Sequence, residues 1–495
     1  MRITRASGIL LHPTALPGPH GSGDLGEDAR RFIDWLAGAG QTLWQILPLG
    51  GIGPGNSPYM SSSAFAGNVL LIDLAELHAQ GWLDATELEP EEAFTPHAID
   101  FARVVPWRMG RLRRAAQRFR AHASAAQRED HARFCAAEAA WLEDFALFMS
   151  LADHHAWRPW AEWPAPLAHR APAALATARE THAEAIAFWK FSQWVFFRQW
   201  GALRDYAHAQ GVRIIGDAPI FIALQSAEAW ARPELFELDA SGRQTVVAGV
   251  PPDAFSETGQ RWGNPLYRWS AHAGEGYAWW IARLRALFAL VDIVRIDHFR
   301  GFAAHWEIPA SEATALNGRW VPGPGPALFE ALAAALGPVQ IIAEDLGVIT
   351  PDVVALRRAF DFPGMRILQF AFGESAANPY LPHHHTPDSV IYTGTHDNDT
   401  TPGWWATLDE SVRQHVRDYL AISGEDIGWQ FIRAACASVA DVAIHPLQDV
   451  LGLGSEARMN HPGQPAGHWQ WRFRWEQFEP RHQALLASFC ALYGR

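Results

Sequence analysis

The feature that most constrains this chain is a short apolar run, ending in polar or charged residues, that recurs eight times. The runs lie at residues 8–12, 42–48, 212–217, 291–297, 339–344, 365–372, 390–396 and 442–447. Most are apolar on both faces, as strands buried in a parallel sheet are. Helical patterns lie between several of them, for example at 327–336 and 351–360. This alternation predicts an α/β fold, a (β/α)8 TIM barrel that spans residues 1–495 as one catalytic unit.

Two stretches interrupt the alternation. Residues from about 74 to 190 are rich in Ala, Arg, His and Trp and predict a helical insertion, with helices at 103–126 and 129–154. A further helix predicted at 183–208 belongs to the barrel. Residues from about 226 to 269 are dense in Gly, Pro and aromatic residues, and predict a loop insertion over the active site. Long loops are usually functional or disordered, and the aromatic content argues against disorder.

Composition excludes several classes of function. The net charge of −13 argues against nonspecific nucleic-acid binding, which needs a basic surface. Three widely spaced cysteines predict neither a disulfide framework nor a zinc site. The chain has no run of about 18 apolar residues and no signal-peptide pattern at its start. We therefore expect a cytoplasmic protein with no membrane partner.

Four acids stand at or just after the ends of predicted strands: Asp217, Asp297, Glu344 and Asp397. In a barrel of this type the active site lies at the carboxyl ends of the strands, so these acids are expected to converge there. The alternative for each of them is a helix N-cap, because Asp commonly ends a strand-to-helix loop.

The surroundings of these acids predict different roles. Arg295 and Asp297 are two residues apart in a strand and so point to the same face. The guanidinium is expected to lower the pKa of Asp297 and keep it ionised, as a nucleophile requires, although a structural ion pair is the alternative. Glu344 follows an apolar run, and burial near other carboxylates is expected to raise its pKa and make it a proton donor. Its neighbour Asp345 is expected to point away and cap the following helix.

Two carboxyl groups with divergent pKa values predict glycoside cleavage. A separation of about 5–5.5 Å between them favours retention through a covalent intermediate. The pair His396–Asp397, after another strand, has the donors and acceptors to hold adjacent sugar hydroxyls, with a supporting role behind the site as the alternative. The chain's 24 Trp are also expected where pyranose rings stack on aromatic faces, although many of them will pack in the core.

Several longer motifs resemble a known family. GDAPIF at 216–221, RIDHFRG at 295–301, IIAEDLG at 341–347 and THDNDT at 395–400 are similar to strand-end motifs of the α-amylase clan. GPGNSPYMSSSAFAGN at 53–68, VAGVPPDAFSETGQRWGNPLY at 247–267, FPGMRILQFAF at 362–372 and EARMNHPGQPAGHWQWR at 456–472 resemble amylomaltases, or disproportionating enzymes, of glycoside hydrolase family 77. The resemblance covers nearly the whole chain.

This resemblance implies a 4-α-glucanotransferase. It implies that Asp297 is the nucleophile, Glu344 the general acid and base, and Asp397 the carboxylate that stabilises the transition state, with Arg295 as the partner of the nucleophile. The implied substrate contacts are Tyr59, Asp217, Asp253, Trp262, His298, Phe370, His396 and Asn460. The implied partners are malto-oligosaccharides, glucans derived from starch or glycogen, and glucose as acceptor. We expect no cofactor and no metal, and a monomer or small homo-oligomer.

Two alternatives stay open at this point. The first is an α-glucan hydrolase of the same clan, in which water takes the glycosyl unit. The second is a glucan-binding protein without catalysis, against which the set of Asp297, Glu344 and Asp397 argues. A barrel alone cannot decide between them, because barrels host many chemistries.

Overall fold

The computed structural model describes residues 3–252, 256–464 and 467–495. Its strands are β1 Ala6–Leu10, β2 Leu43–Gln45, β3 Arg213–Ala218, β4 Val246–Val250, β5 Gln260–Pro265, β6 Ile293–Ile296, β7 Ala304–Pro309, β8 Arg319–Pro322, β9 Ile341–Ala343, β10 Gly364–Ile367, β11 Ser389–Tyr392 and β12 Val442–Pro446. Its helices are α1 Glu27–Gly38, α2 Leu74–Ala79, α3 Phe101–His122, α4 Ala125–Ala137, α5 Ala139–His154, α6 Ala165–Ala168, α7 Pro172–Thr181, α8 Ala183–Ala209, α9 Ala227–Ala231, α10 Trp269–Gly274, α11 Ala278–Leu290, α12 Pro326–Leu336, α13 Pro351–Ala359, α14 Thr401–Thr407, α15 Glu410–Leu420, α16 Ile427–Ala437, α17 Leu447–Val450 and α18 Pro480–Tyr493.

Eight parallel strands form the barrel, in the order β10-β11-β12-β1-β2-β3-β6-β9. Each of them lies within or overlaps one of the eight apolar runs, so the predicted barrel class is confirmed. The seam between β9 and β10 is joined by hydrogen bonds from the Ala343 amide to the Pro363 carbonyl (2.9 Å) and from the Met365 amide to Asp345 Oδ1 (2.7 Å). Nearly every barrel-strand residue is buried, because helices cover the outside and side chains fill the inside.

The segment 226–269 is not the loop that the sequence predicted. It contains α9 and the strands β4 and β5, which join β7 and β8 in an antiparallel sheet of order β5-β4-β7-β8. The strand VVAGV of β4 is rich in β-branched residues, which favour strands. Its partner β7 lies far along the chain, and local sequence does not show such pairing.

The helical region before β3 contains α2 to α8. The single helix predicted at 129–154 is wrong, because α4 and α5 are separated at Glu138, where the backbone leaves helical geometry (φ −97°, ψ 7°). The long helix α8 lies against α5 near its start, where Trp189 meets Phe145 with ring centroids 5.9 Å apart. Near its end, the Trp200 indole donates to the Leu290 carbonyl just before β6 (2.9 Å). One helix therefore contacts both the helical region and the barrel.

The helices in the described parts of the chain include no candidate for a membrane span. None of the helices there combines the length and the apolar character that a span requires.

Candidate active site at the carboxyl ends of the barrel strands

The barrel register sets Asp217 and Arg295 side by side on neighbouring strands. Asp217 is the second-last residue of strand β3, and Arg295 is the second-last residue of β6. Asp297 and Glu344 are the residues directly after β6 and β9, which are also neighbours. The parallel arrangement thus brings these side chains to one end of the barrel, as predicted for a site at the strand ends.

Arg295 joins two of the acids. Its Nη1 donates to both carboxylate oxygens of Asp217 (2.9 and 2.7 Å) and lies 3.0 Å from Asp297 Oδ1. The Asp217 side chain is fully buried, whereas that of Asp297 is 31% exposed. Asp217 therefore lies behind the guanidinium, and Asp297 faces the open end of the barrel.

The predicted lowering of the Asp297 pKa is wrong in its net direction. Burial raises the pKa of Asp297 to about 6; Arg295 opposes this rise, and the charges of Asp217 and Asp397 add to it. The physical reason is that burial of the carboxyl group outweighs the charge of Arg295, which Asp297 also shares with Asp217. At neutral pH Asp297 is still mostly ionised, as a nucleophile must be.

Glu344 is held by the backbone on both of its oxygens. The His298 amide donates to Oε2 (2.6 Å) and the Leu346 amide donates to Oε1 (2.7 Å). Because His298 is the residue after Asp297, this bond ties Glu344 to the end of β6. Burial, and next the charge of Asp297, raise the pKa of Glu344 to about 8, the expected direction. Glu344 is thus protonated at neutral pH while Asp297 is mostly ionised.

Asp345 does point away from Glu344, but it does not cap the following helix as predicted. Its carboxylate accepts from the Met365 amide on β10 and lies 3.3 Å from Arg357 Nε. The next helix, α13, has Thr350 as its N-cap. Asp is common at the start of a helix, which is the basis of that prediction. Here the Asp345 side chain lies instead at the seam between β9 and β10.

Tyr59 links Asp217 to His396. Its hydroxyl lies 2.8 Å from Asp217 Oδ2 and 2.9 Å from His396 Nε2, and its ring stacks on the imidazole at 5.3 Å. A tyrosine has one hydroxyl proton, and an ionised carboxylate can only accept. Tyr59 therefore donates to Asp217 and accepts from His396, which assigns the His396 proton to Nε2.

Asp397 is the most exposed of the four acids, with 46% of its side chain accessible. His396 Nε2 lies 3.4 Å from Asp397 Oδ1, which also accepts from the Asn460 amide (2.6 Å). Arg458 donates to the backbone carbonyls of both Asp397 and Asn460 (2.7 and 2.8 Å). The segment around Asn460 thus orients Asp397 toward the open end of the barrel.

His298 has the left-handed backbone conformation (φ 51°), which is uncommon for a residue with a side chain. This turn aims its amide at Glu344. The imidazole meets Trp262 edge to face at 4.7 Å, and its Nε2 has no hydrogen-bond partner within the described residues. Burial, and next Arg300 and His305, lower the pKa of His298 to about 3. A neutral imidazole with a free nitrogen suits a sugar hydroxyl better than a cation would.

A family model described as 4-alpha-glucanotransferase matches residues 11–478. The chain belongs to this family. A 4-alpha-glucanotransferase of Thermus thermophilus is 52% identical over 496 residues, which covers 99% of this chain and 98% of that protein. The 4-alpha-glucanotransferase of Synechocystis is 47% identical over 495 residues, with coverage of 99% and 98%.

Solved structures agree with the family. The amylomaltase of Streptococcus agalactiae in complex with acarbose matches with a TM-score of 0.96 at 37% identity, covering 99% of each chain. The amylomaltase of Corynebacterium glutamicum shares the fold, with a TM-score of 0.78 at 19% identity, over 98% of this chain and 75% of that one.

Two of the substrate contacts implied for this 4-alpha-glucanotransferase family member remain, Phe370 and Asp253. Phe370 is half-buried in the short helix after β10, with its ring edge on Tyr380 at 5.5 Å. Asp253 lies outside the described residues. Sequence reasoning missed Arg458 and the amide of Leu346. The motif RMNHPG placed Arg458 beside Asn460, but nothing local to it indicated its partner some sixty residues earlier.

Proposed function

We propose that this chain moves α-1,4-glucan segments from a donor malto-oligosaccharide to the 4-hydroxyl of an acceptor glucose or glucan, by double displacement with retention. Asp297 is the nucleophile and Glu344 is the general acid and base. The observation that carries this proposal is the pair itself. Two carboxyl groups follow neighbouring strands, one mostly ionised and one protonated at neutral pH, and the His298 amide joins the two strand ends. Glycoside cleavage by a pair of carboxyl groups needs this combination.

In the first step, Glu344 gives its proton to the glycosidic oxygen while a carboxylate oxygen of Asp297 bonds to the anomeric carbon. The bond from that carbon to the glycosidic oxygen breaks, and the reducing-end piece leaves with a new 4-hydroxyl. The carboxylate formed on Glu344 is stabilised by the two backbone amides that already bind it (2.6 and 2.7 Å).

In the second step, the 4-hydroxyl of the acceptor loses its proton to Glu344 and attacks the anomeric carbon. The ester bond to Asp297 breaks, and both carboxyl groups return to their starting states. Neither step requires a metal or a redox cofactor. Arg295 positions Asp297, and the exposed carboxylate of Asp397 bonds hydroxyls of the reacting sugar as its ring flattens.

Transfer must win over hydrolysis, so water has to be kept from the intermediate. Trp262 on β5 packs against His298, which places an aromatic ring of the sheet β5-β4-β7-β8 beside the nucleophile. Tyr59 packs against His396 on another side of the site. These two rings, together with Pro251 and Pro252 directly after β4, hold the acceptor and exclude water in the proposed reaction.

Incubation with maltotriose tests the reaction. Transfer yields glucose together with longer oligomers, whereas a hydrolase yields mainly glucose and maltose, and a binding protein without catalysis yields neither. Asp297→Ala is expected to lower the rate of transfer by at least about four orders of magnitude, because the covalent intermediate cannot form without this carboxylate. A variant that keeps the melting temperature of the wild type and also its rate would refute the role of Asp297.

The proposed donors and acceptors are supported by the names of similar proteins, which are 4-alpha-glucanotransferase and amylomaltase. The cytoplasmic location and the state of a monomer or small homo-oligomer stay predictions. Sedimentation of the purified protein measures the second.

A further inference from the structure

A patch of exposed apolar side chains lies beside the loop that follows Glu344. Trp320 and Val348 are 39% and 51% exposed, and both contact Arg300, which lies over the Trp320 ring and donates to the Val348 carbonyl. Large apolar groups at the surface are unusual when they cluster, and such clusters mark binding surfaces. The patch is linked to the candidate site through the chain, because Val348 belongs to the loop that continues from Glu344.

Trp320 is fixed by contacts on two sides. It pairs with Trp306 across β7 and β8, with ring centroids 5.2 Å apart in an edge-to-face arrangement. The Arg300 guanidinium lies 3.8 Å from the centre of the Trp320 ring. One face of the indole is thus backed by a cation while the side chain is still 39% exposed. A ring held in place in this way loses little freedom on binding, which favours affinity.

Arg300 connects this ring to both catalytic strand ends. It lies three residues beyond Asp297, in the short helix Phe299–Phe302, and it donates through Nη1 to the Val348 carbonyl. In the proposed reaction Glu344 protonates the leaving oxygen, and Arg300 bonds the loop that continues from Glu344. Trp320 contacts Arg300 and is thus joined to both strand ends through this one side chain.

The charges of the patch favour a neutral ligand. The Arg300 guanidinium is engaged by the Trp320 ring and the Val348 carbonyl. On the same strand as Trp320, Arg319 pairs with Glu307 at 2.6 Å. A surface with an exposed aromatic ring and paired charges suits the apolar face of a sugar ring rather than an ion.

We propose that Trp320, backed by Arg300, is a stacking platform for a distal glucose unit of the α-glucan chain on the leaving-group and acceptor side of the site. The platform binds chains that are too long for the catalytic pocket alone and gives the enzyme a preference for longer glucans. This inference rests on the proposed function of the site.

The test compares Trp320→Ala with the wild type, using maltotriose and maltoheptaose separately as donors. The KM for maltoheptaose is expected to rise about 3- to 10-fold, because the ring contact is lost, with kcat unchanged. The kinetics with maltotriose are expected to stay the same, since a short donor does not reach the platform. Trp320→Phe keeps an aromatic face and is expected to restore most of the affinity for maltoheptaose.

Trp157→Ala is the matched control. Trp157 is 46% exposed, donates to Asp153 at the end of α5, and lies in the helical region. Its removal is expected to change neither donor's kinetics. The platform is overturned if Trp320→Ala, with a normal melting temperature, changes neither donor or changes both equally. A wild type that fails to transfer from maltotriose would instead overturn the proposed function.

Discussion

Asp297 and Glu344 are chemically similar side chains whose environments give them opposite protonation states. Burial raises the pKa of Asp297 to about 6, and the Arg295 guanidinium, which Asp297 shares with Asp217, opposes this rise. Among the described residues, the direct partners of the Glu344 carboxyl group are two backbone amides, and burial, with the charge of Asp297 next, raises its pKa to about 8. The pair can therefore work as an ionised nucleophile and a protonated acid between these two values.

A bell-shaped pH profile of kcat/KM follows for transfer between malto-oligosaccharides. Activity is expected to fall below about pH 6, as Asp297 becomes protonated, and above about pH 8, as Glu344 loses its proton. These limits belong to the coupled pair rather than to either residue alone. Initial rates from pH 4 to pH 10 measure both limbs.

The control for this profile is Glu344→Gln with an α-glucosyl fluoride donor, whose leaving group needs no proton. That variant is expected to keep the acid limb and to lose the alkaline one. An alkaline limb that persists in it would assign the group that titrates near pH 8 to another residue.

At the level of elements, the barrel depends on one seam that is held partly by a side chain. Between β9 and β10, Asp345 accepts from the Met365 amide and pairs with Arg357 of α13. Asp345 is 6% exposed and Arg357 is 3% exposed, and their charges compensate each other together with Arg366, 3.9 Å from Asp345, and Asp388, 3.8 Å from Arg357. The same strand end thus carries Glu344 into the site and Asp345 into the seam.

Asp345→Ala is expected to destabilise the protein by about 2–4 kcal/mol, because it removes the nearer of the two carboxylates beside the buried Arg357 and the acceptor of the Met365 amide. Urea unfolding followed by tryptophan fluorescence measures the loss. Asp352→Ala, an exposed acid in the first turn of α13, is the control and is expected to cost less than about 1 kcal/mol. The double variant Asp345→Ala/Arg357→Met is expected to recover part of the loss. Equal unfolding midpoints for the two single variants would show that the seam does not need this pair.

The sequence predicts the eight barrel strands because each is a continuous apolar run between polar segments. It does not predict the sheet of β4, β5, β7 and β8, whose pairing joins segments far apart in the chain. The direction of the Asp297 pKa does not follow from local sequence either, because the burial that raises it comes from the folded barrel and Asp217 shares Arg295 from 78 residues away. The left-handed turn at His298 has no local signal either, because residues other than glycine rarely take this conformation and the His298 amide bonds Glu344, which lies 46 residues later.

At the level of the molecule, helix α8 holds the segment that carries Tyr59. Gln193 of α8 exchanges two hydrogen bonds with the Gly67 backbone (2.8 and 3.0 Å). A Cβ on Gly67 would lie 2.0 Å from the ring of Phe196, also on α8. We propose that residues 74–190 are a helical insertion, that helix α8, which leads from it into the barrel, holds residues 59–67 in place, and that residues 226–269 lie over the site.

Gly67→Ala is therefore expected to affect both stability and catalysis. The added methyl must push the segment away from α8, at a cost of about 1–3 kcal/mol. Because Tyr59 lies eight residues earlier and bonds Asp217 and His396, a small displacement is expected to lower kcat/KM for transfer about 10-fold or more.

Gly201→Ala on the same helix is the matched control, because a Cβ there meets nothing within 4 Å. It is expected to be neutral or to stabilise the helix by about 0.5–1 kcal/mol with unchanged activity. If Gly67→Ala loses stability but keeps the full kcat/KM, α8 supports the fold without positioning Tyr59.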